Sequence, residues 1–479
     1  MYLPFPSAFL ILHVASVACR RDVDVAIIGG GLSGLATAKD IAEAGKTFAI
    51  LEARDRVGGR VLDAHLPNGQ VAELGAEFVG PTQDRVLVLA AELGLTTYPT
   101  YTAGNSILYR NGTVILYEGD LGTGALPPVA MESQAELVSL ILLLDGLASE
   151  LDVNAPWTHP NAAMWDGMTL KSFVEPRITL QDSLLLFETA IRSILSTETE
   201  EPSLLYTLSY IAAAGNQTIP GTITRLIGTQ GAAQDSRING GTQLLATKLA
   251  ERLGPANIFL NSPVRKIKLN GTRYTVRSDG VQISAKHVVI AMSPPMAGRI
   301  SYDPILPAGR DQLTQRMAMG AVGKAIAIYP TPWWRRQGLN GQVLSDTGVI
   351  RTTFDNTPAN ESFGAIMGFI EADEMRALDD ASETEIKRLV TEDLVRIFGP
   401  QAANVSQILV QRWDLEEFSR GGPVAYCPPG VLTKYGPFLR DPADRIHFAG
   451  TETSPYWTGY MDGAIRSGER VAAEILADF

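Results

Sequence analysis

The 479-residue sequence is poor in the residues that hold metals and cross-links. It has two cysteines, Cys19 and Cys427, and five histidines. Two cysteines so far apart make neither a disulfide framework nor a CxxC site. No His/Cys/carboxylate cluster at metal-ligand spacing is visible, so no metal is expected. Positive charge is also short: 40 Lys and Arg against 52 Asp and Glu leave a formal net charge of -12. That argues against nucleic acid or an anionic membrane as partner. No apolar run is long enough to span a bilayer, and with a helical pattern running up to Phe479 no membrane anchor is expected at that end. Internal repeats and long low-complexity linkers are missing as well. What is present is 45% hydrophobic residue, with 45 Gly and 28 Pro spread along the chain. This composition predicts a loop-rich α/β enzyme with one large or two medium cores.

The first residues read as separate from the fold. Met1 to Ala18 has an apolar stretch from Phe9 to Val17 and small residues at Ser16 and Ala18, the pattern of a secretory signal peptide over 1–18. Sequons at Asn111, Asn216, Asn270, Asn360 and Asn404 agree with a secreted glycoprotein. The missing Lys or Arg near Met1 keeps an intracellular soluble protein as the alternative.

The densest signal follows. Asp24 to Ile28 is a short apolar run that predicts a buried parallel strand. It leads into Gly29-Gly30-Gly31-Leu32-Ser33-Gly34, then a helix with Leu35, Ala38 and Ala42 on one face, then a second apolar run, Phe48 to Leu51, ending in Glu52. Strand, G-x-G-x-x-G, helix, strand and acid in one unit predict a dinucleotide-binding turn. Gly29 permits the turn, Gly31 lets backbone N–H groups approach a pyrophosphate, and Gly34 lets the helix pack closely. The helix N-terminus favours the phosphates, and Glu52 is placed to accept from ribose hydroxyls. This unit alone leaves NAD and FAD open.

Arg54, Gly58, Gly59 and Arg60 follow at once, in LEARDRVGGR. This stretch, with AELGAEFVGPTQ from Ala72, INGGTQLL from Ile238, PVRKI from Pro263 and RIHFAGTETSPYWTGYMDGAIRSGERVAAEIL from Arg445, resembles the flavin-containing amine oxidase (monoamine oxidase) family. The likeness is to its noncovalent fungal and bacterial members and runs from about Val23 onward. It implies an α/β fold: a Rossmann-type FAD-binding domain over 22–85, 232–300 and 420–479, and a discontinuous α+β substrate-binding domain over 86–231 and 301–419. Local patterns agree with helices in 130–215 and a buried strand from His287 to Ala291.

The resemblance further implies FAD as cofactor, a small-molecule amine and O2 as partners, and oxidative deamination with hydrogen peroxide as product; it leaves a homodimer open. FAD would be held by Gly29, Gly31, Gly34, Glu52, Arg54, Gly59, Arg60, Gly75, Ala76, Val264, Gly450, Glu452 and Met461. Lys324, a lysine inside the apolar run Gly320 to Tyr329, would hold a water against the flavin. Tyr460 would stand beside the flavin face, with Phe418 or Tyr426 as the second ring. Val424 stands, with Pro423, where the mitochondrial enzymes carry a flavin-linked Cys and a Tyr. Gln234, Ile227, Ser193 and Ile194 would line the substrate cavity. Cys427 lies four residues beyond Pro423, about 13 Å in an extended chain, so noncovalent FAD is expected. The substrate expected is a primary amine, including long-chain amino-polyols such as fumonisin-type toxins. Arg192 or Arg225 would be needed for an L-amino-acid oxidase, and Glu77 for a polyamine oxidase. A flavin-retaining protein without turnover is the alternative outside enzymes.

Overall fold

The structure, a computed structural model, describes residues 19–119 and 125–479. The expected signal segment lies outside the described residues. The elements that position the site are β1 (Cys19–Ile28), α1 (Leu32–Glu43), β2 (Phe48–Leu51), β3 (Val281–Ala291), β4 (Val322–Tyr329), β5 (Gly364–Glu371), β6 (Gln407–Arg412), β7 (Ile446–Ala449) and α2 (Met461–Leu476).

The first sheet runs 258–259, β2, β1, β3, 273–278, 264–270, 301–303, with β7 beside the C-terminal half of β3. Its centre, from β2 through β1 and β3 to β7, is parallel. Val25, Ala26, Ile27 and Ile28 are at most 2% exposed, as parallel strands covered on both faces require. α1 and α2 pack against each other on one face. β1 is longer than its apolar run predicts: Cys19 to Val23 pair with Val281 to Ala285, so backbone pairing carries a stretch that side-chain pattern does not. The strand 301–303 joins this sheet beside 264–270, one step past the boundary expected at 300.

The second sheet runs β6, β4, β5, 352–355, 339–345, 105–110, 113–118. It is antiparallel except where 339–345 meets 105–110. A helical layer, including Met131–Ser149, Gln181–Leu195 and Leu204–Ala212, forms its own apolar cluster. The chain passes between the sheets repeatedly, so neither is built from one continuous stretch. Among the described residues, no helix is long and apolar enough to cross a membrane.

Candidate active site

The end of β1 delivers the glycine turn to the N-terminus of α1. Gly29 has φ +106°, and a Cβ there would stand 2.6 Å from Ala291 O, so an L side chain is excluded twice. A Cβ on Gly34 would stand 2.0 Å from Gly29 O; its hydrogen is what seats α1 on the strand. Gly31 faces open space, its nearest would-be contacts Gly58 O and Gly59 Cα at 3.9 Å. Glu52, at the end of β2, accepts from the N–H of Gly30 at 2.7 Å and of Arg54 at 2.9 Å. The Arg54 guanidinium is held by Glu416 and by Ser419 Oγ. Arg60 donates to the Glu452 carboxylate at 2.8 and 3.2 Å and to Pro423 O at 2.6 Å.

Several of these groups border one continuous cavity of about 470 Å³. Val264 of the first sheet and, from the loops after β1 and β2, Gly29, Gly31, Glu52, Arg54, Gly59 and Arg60 line its wall. Gly75, Ala76, Gly450 and Met461 line it too, and so do Ser193, Ile194, Gln234, Lys324, Phe418 and Tyr460. The structure thus gathers most of the sequence-predicted residues around a single hollow between the sheets and the helical layer. α2 begins at this wall: Tyr460 is its N-cap and Met461 its first residue, so the positive end of the helix field faces the cavity.

Lys324 is 2% exposed. All of β4 is buried, so the lysine cannot reach bulk water along a strand edge. It forms an ion pair with Glu77 and donates to Gly75 O at 3.0 Å. Glu77 also accepts from Asn356 Nδ2 at 2.9 Å, while its Oε1 has no partner. Burial pushes the Glu77 carboxyl up, and Lys324 opposes this. An acid so committed is not free to take a substrate's second ammonium, as a polyamine-oxidase role would require.

Among the described residues two rings meet Tyr460: Tyr210, tilted 38° with centroids 6.4 Å apart, and Trp457, edge-on at 4.8 Å. Tyr210 lines the cavity and its hydroxyl reaches Ile194 O at 3.4 Å. Sequence reasoning missed it because an aromatic in LLYTLSYIA reads as core. The usable signal was the pair Tyr206 and Tyr210, two hydroxyls in a buried helix that need partners. Phe418 lies under Arg54, the guanidinium 5.7 Å from its ring centre, on the glycine-turn side. Tyr426 is buried in the helical core and donates to Glu201 at 2.9 Å.

Four other expected residues stand behind the cavity wall. Val424 and Ile227 pack in or against the helical core. Glu452 fixes Arg60 and also accepts from the N–H of Ala425 at 3.3 Å. Gly34 acts through packing, as described. Cys427 is 1% exposed in the helical core and absent from the wall; burial pushes its thiol well up, away from the thiolate that a thioether needs. Arg192 is held by Glu198 at 2.7 Å and Arg225 by Pro220 O at 2.6 Å; neither lines the cavity, so neither is poised for a substrate carboxylate.

One grouping is not visible in the linear spacing. His287, His447 and Asp478 bring ligand-type atoms within 4.8 Å of one another. They come from β3, β7 and the residues after α2, a proximity invisible in the sequence. The group is set back from the cavity: His287 precedes the wall residue Ala291 by four strand residues, about 13 Å.

The wall suits FAD. A glycine turn opens onto a helix N-terminus with room in front of Gly31, a ribose-directed acid follows, and a second helix N-terminus bounds the far part. The buried Oε1 of Gln234 has no partner, its Nε2 being used on Leu226 O at 3.0 Å. The cavity thus has a phosphate-type end at the glycine turn and a mixed aromatic end at Tyr460, the two kinds of lining that a dinucleotide and a small second molecule call for.

Comparison with known proteins agrees. Residues 32–476 match the family described as flavin-containing amine oxidoreductase. A putative flavin-containing monoamine oxidase of Mycobacterium tuberculosis is 37% identical over 95% of this chain and 97% of its own. Human flavin-containing amine oxidase B is 34% identical over 95% of this chain and 86% of its own. Among solved structures, a putrescine oxidase bound to putrescine superposes with a TM-score of 0.89 at 33% identity, over 96% of this chain and 100% of that one. A cyclohexylamine oxidase from Brevibacterium oxydans gives 0.89 at 34% identity, over 95% and 99%.

Proposed function

Since the chain belongs to the flavin-containing amine oxidoreductase family, a class of enzymes acting on amines with oxygen, we propose that it holds FAD without a covalent bond and oxidises a primary amine on an alkyl chain. When bound, FAD would supply the two-electron acceptor for the amine's oxidation, with dioxygen as the final oxidant and hydrogen peroxide as its product. Everything else falls to the chain's own residues.

The observation that carries this reading is the continuity of one cavity from the glycine turn to Tyr460 and Lys324. Tyr460 and Tyr210 offer ring surface and exclude water on the substrate side, which favours the neutral amine over the ammonium. The Lys324 ammonium, fixed by Glu77 and Gly75 O, presents its remaining N–H to the cavity, where it can hold a water molecule or a polarised oxygen. The N-terminus of α2 stabilises negative charge gathering opposite it. Noncovalent attachment is supported by the burial of Cys427 outside the wall.

A peroxide assay over primary alkyl amines, a long-chain amino-polyol among them, tests the activity; silence across the panel from flavin-loaded protein would sink it. Acid precipitation tests the attachment. Yellow FAD should pass to the supernatant, and Cys427→Ala should keep its full flavin load. Colour retained in the pellet, with a flavin peptide containing Cys427, would overturn the noncovalent reading.

A further inference from the structure

One carboxylate in the cavity has no role in the chemistry described so far. Glu371 ends β5, is 6% exposed and lines the cavity. Among the described residues it makes no ion pair within 4 Å; Ser193 Oγ donates to it at 3.4 Å, and Ser196 also acts on it. The charges that act on it are committed elsewhere, Glu374 to Arg351 and Arg192 to Glu198. Burial therefore pushes its carboxyl up to about 8. A buried acid without a cation is costly, and a cation brought by a ligand would relieve that cost.

Register fixes where this acid stands relative to the reacting end. In the antiparallel ladder of β4 and β5, Lys324 faces Phe369 and Val322 faces Glu371. All four share one face of the sheet and all four line the cavity. Glu371 thus stands on the neighbouring strand two positions past the residue opposite Lys324, about 7 Å along the strand and about 5 Å across. A chain of four methylenes between two nitrogens, five single bonds, spans about 6 Å when extended. Phe369, opposite Lys324, and Ile194 line the same cavity with apolar surface suited to methylenes.

Resting on the amine-oxidising reading of this cavity, we propose that Glu371 selects substrates carrying a second, protonated amino group about four carbons from the amine that is oxidised. The first nitrogen lies neutral between Tyr460 and Lys324. The second keeps its proton and forms the ion pair that Glu371 lacks.

The test compares butylamine with 1,4-diaminobutane on the FAD-loaded enzyme. The wild type should prefer the diamine at least tenfold in kcat/KM, mainly through KM, and Glu371→Gln should reduce that ratio to within about threefold of unity. A wild type without the preference, or a Gln variant that keeps it, overturns the proposal. Binding is read separately by calorimetric titration with 2,5-dimethylhexane-2,5-diamine, whose nitrogen-bearing carbons hold no hydrogen to lose. Its affinity should exceed that of the matching monoamine and lose that advantage in Glu371→Gln; equal affinities in the wild type overturn the proposal. If no amine is oxidised, the amine-oxidation reading fails by itself and the titration still decides on Glu371.

Discussion

At the residue scale the decisive pair is Lys324 and Glu77. The lysine was legible in the sequence, since a charge inside an apolar strand must be paired or functional. Its partner was not, because Glu77 lies 247 residues away in a loop whose own pattern says nothing of what faces it. Tyr210 and Glu371 escaped for a related reason: each sits in a run that reads as core or strand end, and only the cavity gives it a role. Lys324→Met should leave FAD bound and slow one half-reaction 10- to 100-fold, on the scale of a positioned proton-handling group, as stopped-flow reduction and reoxidation would record. It should also destabilise the fold by about 3–5 kcal/mol where Glu77 stays ionised. Lys324→Met combined with Glu77→Gln should recover most of that stability and none of the rate; unfolding by urea measures the first, and full recovery of the rate would show that the pair is only structural. Gly34→Ala places a methyl 2.0 Å from Gly29 O, so purified protein should carry less than a tenth of the wild-type flavin.

At the element scale, α2 is tied down at both ends. Near its start, Asp462 accepts from the N–H groups of Arg85 and Val86 and pairs with Arg466. Near its end, Glu474 accepts from the imidazole of His447, which lies 3.3 Å from His287. Burial, then the neighbouring His447, hold His287 down to about 4; Asp478 pulls the other way, and Arg445 and Lys286 reinforce the shift. The imidazole is therefore neutral in the fold while the unfolded chain still takes up a proton near pH 6.5. Its contribution is fully present above 6.5 and is lost as pH falls towards 4, on the order of 1–3 kcal/mol. The melting temperature should fall between pH 7 and 4.5, and fall less in His287→Asn; parallel curves for the two proteins would refute the assignment. The strand–turn–helix at 24–45 was readable because glycine spacing is dictated by backbone geometry. The second sheet was not, because strands such as 339–345 and 352–355 are short and mostly buried, which removes the alternation that marks a strand.

At the scale of the whole molecule, the two sheets are interleaved along the chain. Strands of the first come from 19–51, 258–303 and 446–449; those of the second come from 105–118 and 322–412. Loop contacts such as Arg54, just past β2, with Glu416, just past β6, and the Trp413 indole N–H with Leu74 O at 3.0 Å tie the two regions together. Neither sheet can unravel without dragging chain out of the other, so calorimetry should record one endotherm, with flavin fluorescence rising in the same interval. Two resolved transitions would mean that the sheets unfold separately. The overall α/β character was visible in the sequence, but the hollow was not, since it belongs to surfaces that meet only after the chain has crossed back. That hollow has one more consequence. Cofactor and amine are tenants of the same room and share a wall, so neither can bind as though the other were elsewhere. Thermodynamic reciprocity then requires that the factor by which FAD tightens an unreactive amine equal the factor by which that amine tightens FAD.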